Sequence, residues 1–292
     1  NGLRSSGGSR NDSTHIHHSR FFAGGNALSF QGDERKLIFT HNELNDCGVY
    51  FNYYSRSNYI VVDYNTVISH DNTVDQFFIA SYNNYASTYS SFSNNKFDKG
   101  YLRLVDIEYY GNTVNTLDVN NNTFGKGSSG VNFSVYGDAG NNTDGITINI
   151  TNNHIQGTLQ GNQYSGDGIR VNYIDSKALL NITNNSVKAS RGIYINSNKL
   201  SSANIKNNTI DSTQAEGISL NKVSGRIENN TLNHCGKYSN AISLNSDFNY
   251  PAIDTIRYNT INGSSYAYSG LSTGRGAINI NGHTQAIINY NN

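Results

Sequence analysis

The sequence predicts an all-β solenoid, in which successive turns of the chain stack short strands on one another. A six-residue frame of the form apolar–x–Asn–Asn–x–apolar recurs along almost all of the 292 residues, and repeats of roughly 20 to 50 residues are the signature of such arrays. A second motif, a small residue followed by alternating apolar positions, recurs between the frames. Alternation with period two is typical of strands, and no helical period appears over a comparable length.

The Asn-Asn frame marks the turns of the predicted solenoid. Its spacing is 22 residues from Asn208 to Asn230 and 32 residues from Asn153 to Asn185, as expected if strands are constant and loops vary. The second polar position of the frame falls at Ser19, Asn42, Asn65, Asn95, Asn122, Asn153, Asn185, Asn208, Asn230, Asn259 and Asn291.

The apolar ends of the frame predict the core. Stacked strands about 4.8 Å apart would align equivalent residues of neighbouring turns into inner columns. Two such columns are Ile182–Ile205–Ile227 and Val187–Ile210–Leu232. Between the columns the chain must bend within two residues, and Asn tolerates the left-handed backbone that a sharp bend requires. We therefore expect Asn184, Asn185 and their equivalents to be structural, with amides stacked into a hydrogen-bonded ladder.

The second motif predicts one further strand per turn. Its copies are GVYF (48–51), GVNF (130–133), GIRV (168–171), GIYI (192–195), GISL (217–220), AISL (241–244) and AINI (277–280). With both motifs, roughly residues 14–292 resemble the right-handed parallel β-helix repeat family, the pectate-lyase-like solenoids, whose generic repeat is G-I-x-I followed by I-x-N-N-x-I. The resemblance implies a single-stranded right-handed parallel β-helix of about ten turns, with an Asn ladder, as one domain over residues 1–292.

Composition excludes several classes of function. Twenty-one basic and 21 acidic residues give a net charge of zero, which argues against a nucleic-acid partner. No apolar run is long enough for a membrane span, and no leader is recognisable. Because Met is absent, and the chain stops in mid-frame at Asn292, we expect a segment of a longer or processed chain.

Cysteine and histidine do not indicate a metal or cofactor. Cys47 and Cys235 lie seven frames apart, too far for a disulfide, so two free thiols are expected. His15, His17 and His18 form a dense cluster, but no acid or cysteine beside them follows a zinc spacing. In the frame, His17 and His18 take bend positions, which explains the cluster without a metal. We therefore predict no metal and no cofactor.

A candidate catalytic trio precedes the glycine of three consecutive second motifs: Asp167, Arg191 and Glu216. Stacking would put Arg191 between two carboxylates about 9.6 Å apart, near the range for an inverting glycoside hydrolase, with Glu216 as acid and Asp167 as base. An Asp-Arg-Glu ladder is equally an ordinary set of ion pairs on the surface of a solenoid.

Candidate binding residues lie on the outer face of the same strands and in the loops beside them. Arg170 and Tyr194 would stand next to the trio, and Tyr rings suit polar recognition surfaces. An outward Asn at each turn would offer donors and acceptors at a regular spacing. The full set is Arg170, Tyr194, Tyr164, Asn172, Asn196, Asn221, Asn245, Tyr266 and Tyr268.

Two functions follow from the resemblance. A long solenoid rich in Asn, Ser, Thr and Gly and poor in Met, Trp, Pro and Cys looks like the passenger segment of a bacterial autotransporter or adhesin. That similarity implies a secreted or cell-surface protein that binds a polysaccharide or cell-surface glycan, or self-associates, through polar ladders. The alternative is a polysaccharide-degrading β-helix, such as a tailspike-like glycoside hydrolase or polysaccharide lyase, with its acids on the middle turns.

Overall fold

The chain is all-β and built from short strands. The computed structural model describes residues 3–6, 13–31, 36–53, 59–68, 78–84, 88–98, 102–109, 115–125, 130–137, 146–160, 163–174, 178–246, 248–249, 251–264, 276–282 and 284–292. Over these ranges there are 30 strands and no helix. No helix in the described part of the chain could therefore cross a membrane.

Strands one turn apart pair in parallel and form three faces of a solenoid. Face 1 contains the second motif. For example, Ile169 pairs with Ile193, and Ile193 pairs with Ile218. Its strands are Leu3–Ser6, the ends of Arg20–Gln31 and Glu43–Tyr53, Phe78–Asn84, Leu102–Tyr109, Val131–Gly137, Asp167–Ile174, the starts of Arg191–Lys206 and Ile218–Glu228, Ile242–Ser246 and Ile278–Gly282.

Face 2 holds the strands that enter the Asn-Asn bend. In its register Ile150 pairs with Ile182, which pairs with Ile205. Its strands are Thr14–His17, Lys36–Thr40, Tyr59–Asp63, Thr88–Ser93, Asn115–Asn120, Ile146–Thr151, Ala178–Thr183, the ends of Arg191–Lys206 and Ile218–Glu228, Ile253–Arg257 and Gln285–Asn289.

Face 3 consists of the short strands that leave the bend. These are the starts of Arg20–Gln31 and Glu43–Tyr53, then Thr66–Ile68, Lys96–Phe97, Thr123–Phe124, His154–Gln156, Ser186–Lys188, Thr209–Asp211, Thr231–Asn233 and Thr260–Asn262. One antiparallel hairpin, Thr158–Gln160 with Gln163–Ser165, lies outside the three faces. The described architecture confirms the predicted parallel β-helix.

The core consists of aliphatic columns along the solenoid. Ile182, Ile205 and Ile227 are in register and fully buried. The column of Val187, Ile210 and Leu232 is also in register, with at most 1% of any residue exposed. Both predicted columns are confirmed. Burying each such side chain contributes about 1.5–3 kcal/mol, so stability accumulates turn by turn.

The Asn ladder is a continuous hydrogen-bonded column at the bend between faces 2 and 3. Asn185 donates from Nδ2 to the Ile150 carbonyl at 2.8 Å and to Asn208 Oδ1 at 3.0 Å. Its Oδ1 accepts from the backbone N and the Nδ2 of Asn153, at 2.9 and 3.0 Å. The same buried geometry recurs at Asn42, Asn65, Asn95, Asn122, Asn153, Asn208, Asn230 and Asn259. The structural role expected of Asn185 is confirmed.

The residue before each buried Asn provides the bend. Asn184 has a φ of 58°, in the left-handed region that Asn tolerates. Aromatic residues occupy the same position near both ends of the described chain. His18, His41 and Tyr64 also have positive φ and stack at 5.0 Å between ring centroids. His18 therefore takes the predicted bend position.

Small residues at the start of the second motif are required by close stacking. A Cβ on Gly192 would lie 2.3 Å from the Gly217 carbonyl oxygen and 2.7 Å from Ile210 Cγ2. Gly168 and Gly217 face equally close neighbours in the adjacent turns. Glycine at this position therefore allows the chain to run from the strand of face 3 to the strand of face 1 without a clash with the adjacent turn.

Both cysteines, Cys47 and Cys235, are buried, and they are not joined in a disulfide, as expected. Burial raises the pKa of the Cys235 thiol to about 12, so it remains protonated and unreactive at neutral pH.

Candidate binding site

Several of the predicted site residues lie together on the outer side of face 1. Arg170, Tyr194, Ser219 and Ser243 pair in sequence across four consecutive turns. Because side chains alternate along a strand, these residues point away from the core, although Ser219 and Ser243 are themselves buried. We call this surface the face 1 lane, and its second column contains Asn172, Asn196, Asn221, Asn245 and Asn281.

The outward asparagines lie in one column, and the structure joins them in two hydrogen-bonded pairs rather than in one continuous ladder. Asn221 donates from Nδ2 to Asn196 Oδ1 at 2.7 Å, and Asn281 donates to Asn245 Oδ1 at 3.1 Å. Asn172 accepts from the Arg170 guanidinium when its amide oxygen is turned toward it. Each amide has two donor hydrogens and two acceptor lone pairs, so this pairing leaves hydrogen-bonding capacity on the outer surface.

The candidate catalytic trio is assembled as an ion-pair network. Arg191 lies between the two acids, with Nε 3.3 Å from Glu216 Oε2 and Nη1 3.8 Å from Asp167 Oδ1. Arg170 contacts Asp167 at 3.1 Å, and Ser239 donates to Glu216 Oε1 at 2.7 Å. About four-fifths of each carboxylate side chain is covered, and both acids have partners on their reactive oxygens.

Tyr194 joins the network to the lane. The Arg191 guanidinium carbon lies 4.5 Å from the centre of the ring, and that of Arg170 lies 5.8 Å away. Such cation–π contacts hold both a ring and a guanidinium in place. With two arginines and two acids, the cluster is electrically balanced. It therefore presents guanidinium donors and a half-buried Tyr ring without an excess of one charge.

The remaining predicted residues are not brought to this site by the described structure. Tyr164 lies in the hairpin strand Gln163–Ser165, and its side chain is outside the described part. Tyr266 and Tyr268 lie outside the described residues. The column of outward asparagines and the Arg–Tyr cluster are therefore the predicted features that the structure brings together at the face 1 lane.

Sequence reasoning did not find a groove on face 3. It has a volume of about 210 Å³ and is lined by His154, Ile155, Gln156, Ser186, Val187, Lys188, Thr209 and Asp211. These residues come from three consecutive turns in register. The only sequence signal was His154 in the frame ITNNHI, where the two following turns have Ser186 and Thr209.

A buried acid was also missed. Asp254 is 1% exposed and occupies the inner column of face 2, where its neighbours are Gly225 and Ala286. Gly225 N donates to Oδ1 at 2.6 Å, whereas Oδ2 has no hydrogen-bond partner in the described part. Burial raises the pKa of Asp254 to about 6.

Comparison with known proteins does not indicate a function for this chain. No protein-family model, no curated protein and no solved structure matches the chain.

Proposed function

We propose that this chain is a secreted or surface-exposed β-helical binding protein that recognises glycans through the face 1 lane. The observation that carries the proposal is the in-register column of outward asparagines beside Tyr194 and its two arginines. Amides and a Tyr ring are suited to polar, hydrated recognition. The rigid stacking of face 1 positions them before any ligand arrives, which lowers the entropic cost of binding.

The spacing of the lane favours an extended ligand. Parallel strands repeat about every 4.8 Å, and the lane repeats its amide over five consecutive turns, from Asn172 to Asn281. A linear polymer with regularly spaced hydroxyl groups could bond to several rungs at once. The balanced charge of the cluster favours a neutral or weakly charged glycan over a strongly anionic polymer.

Binding to a panel of bacterial and host polysaccharides tests the proposal. We expect Tyr194→Ala and Asn221→Ala to weaken binding by about fivefold each, the loss of roughly one hydrogen bond or ring contact. Asn181→Ala is the matched control, because Asn181 donates to Asn149 Oδ1 at 2.8 Å in an equivalent ladder on face 2. No binding to any polysaccharide, or equal losses in Asn221→Ala and Asn181→Ala, would contradict the proposal.

The alternative function is cleavage of a polysaccharide. Its support is the placement of Asp167 and Glu216 beside the face 1 lane, on either side of Arg191. The same incubations should therefore be followed for new reducing or unsaturated ends. Cleavage that is lost in Glu216→Gln would establish an enzyme and replace the adhesin proposal. Binding without new ends supports the adhesin, and Glu216→Gln should then leave that binding unchanged.

A second copy of the chain is the other partner that polar ladders allow. Two lanes from separate copies could exchange the amide hydrogen bonds that Asn221 and Asn245 offer at their surface. Sedimentation velocity over a range of concentrations distinguishes the two partners. A shift to larger species that Asn221→Ala abolishes would favour self-association, whereas a concentration-independent monomer with glycan binding favours a glycan receptor.

A further inference from the structure

We infer that the face 3 groove is a second binding site, which takes one neutral, hydroxyl-rich ring of monosaccharide size. The groove runs along the solenoid over three turns. It lies on a different face from the face 1 lane and does not depend on it. Four observations carry the inference: the free polar groups of the lining, its charge balance, its size and the hairpin beside it.

The groove contains four neutral polar side chains that have no hydrogen-bond partner in the described part of the chain. The side chains of His154, Gln156, Ser186 and Thr209 make no hydrogen bond to any described residue. Several outward asparagines of faces 1 and 2, by contrast, bond to the adjacent turn, as Asn221 does to Asn196 and Asn181 does to Asn149. The groove therefore offers an imidazole, an amide and two hydroxyls that a ligand could bond to at once.

The charged residues of the groove neutralise each other. Lys188 Nζ lies 2.9 Å from Asp211 Oδ2, and Ser212 donates to Asp211 Oδ1 at 2.9 Å. Burial alone would raise the pKa of Asp211, but the hydrogen bonds from Lys188 and Ser212 and the charge of Lys188 lower it overall. Because the pair leaves no excess charge, the lining suits a neutral ligand with many hydroxyls better than a phosphate or a cation.

The size and surroundings of the groove agree with a single ring. Its volume of about 210 Å³ is below that of drug-sized pockets, which begin at roughly 300 Å³. The antiparallel hairpin at Thr158–Gln160 begins two residues after Gln156, and Gly157 N donates to the Lys188 carbonyl at 2.6 Å. The chain thus leaves the regular solenoid at the edge of the groove.

Saturation-transfer NMR with the methyl glycosides of glucose, galactose, mannose and N-acetylglucosamine tests the site. At least one glycoside should bind in the millimolar range, typical of a few hydrogen bonds. Ser186→Trp should fill the groove and weaken that binding about tenfold or more. Thr231→Trp is the matched control, because Thr231 pairs with Thr209 in the same outward column but does not line the groove. It should bind within about twofold of wild type.

A second variant separates occupation of the groove from loss of fold. The double substitution of Ser186→Ala and Thr209→Val removes two hydroxyls without added bulk and should weaken binding about fivefold. Circular dichroism and the melting temperature report whether each variant is folded. If Ser186→Trp does not fold, the double variant is the test of the site. The inference is overturned if no glycoside binds, if the double variant binds as wild type, or if Thr231→Trp loses binding equally. Tyr194→Ala should leave this binding intact, which distinguishes the groove from the face 1 lane.

Discussion

At the residue scale, one buried amide per turn joins the turns of the solenoid. The Asn185 amide makes two donor and two acceptor contacts with the two neighbouring turns, one on each side of its own. The frame predicts this role because it repeats Asn at the same position in successive turns. Each amide can donate to one neighbour and accept from the other, so the column satisfies its own buried polar groups. The frame predicted His18 at a bend, but it did not predict that the rings of His18, His41 and Tyr64 stack on one another across consecutive bends.

Asn185→Ala should lower the free energy of unfolding by about 3 kcal/mol. The substitution leaves the backbone N and Nδ2 of Asn153 without their acceptor, and each unsatisfied buried group costs roughly 1–3 kcal/mol. Chemical denaturation followed by circular dichroism measures the loss. The control is Asn184→Gly at the adjacent bend, where Gly favours the left-handed backbone and the expected change is within about 0.5 kcal/mol. Similar losses in the two variants would contradict the ladder's role.

Asp254 should make the protein more stable at mildly acidic than at neutral pH. Its pKa is raised from 3.8 to about 6 by burial, so the folded state binds a proton more tightly than the unfolded state. The contribution is complete below the unfolded pKa and is lost as pH rises through the folded pKa. Lowering the pH from about 7 to about 5 should add roughly 1 kcal/mol from this group.

The test compares unfolding of the wild type with that of Asp254→Asn over the same pH range. The variant has no titrating group at this position, so its gain between about pH 7 and pH 5 should be smaller by that amount. Identical pH profiles would show that Asp254 is not a buried acid. The sequence did carry a signal, because Asp254 falls two residues before the first apolar position of its frame, where other turns have Leu180 or Ala203. The pKa shift itself depends on burial that the sequence does not show.

At the element scale, ion pairs join neighbouring strands of face 2. Glu228 is 5% exposed and lies between Lys206 at 2.8 Å and Arg257 at 2.7 Å. The three residues come from consecutive strands in register. The pKa of Glu228 is lowered mainly by the hydrogen bond from Lys206, with a further hydrogen bond from Arg257, against the opposite effect of burial.

Glu228→Gln should lower the free energy of unfolding by about 1–3 kcal/mol at neutral pH. The substitution leaves two cations facing each other and replaces charge-assisted hydrogen bonds with weaker ones. In the wild type this stabilisation is present above the ordinary pKa of 4.5 and is lost as pH falls through the lowered value, opposite in sign to Asp254. Denaturant titrations near pH 7 and pH 3 measure it. The prediction is wrong if the variant and the wild type differ equally at both pH values.

At the scale of the whole molecule, the repeat specified the fold but only part of the function. Parallel stacking, the inner columns and the Asn ladder follow from frames that recur in phase, because one solution must satisfy every turn. The face 1 lane was also predictable, since Arg170 and Tyr194 hold equivalent positions in their repeats. The face 3 groove was not, because its depth depends on how side chains of three turns and the following hairpin pack.

The central claim is that the face 1 lane contacts a glycan, and hydroxyl-radical footprinting of tyrosine tests it most directly. A polysaccharide selected from the panel should slow the oxidation of Tyr194, which lies between Arg170 and Arg191. Oxidation of Tyr258, a half-exposed ring at the bend between faces 2 and 3, should be unchanged. Protection of Tyr194 alone is the result we predict. An unchanged Tyr194 rate at saturating polysaccharide would contradict the account.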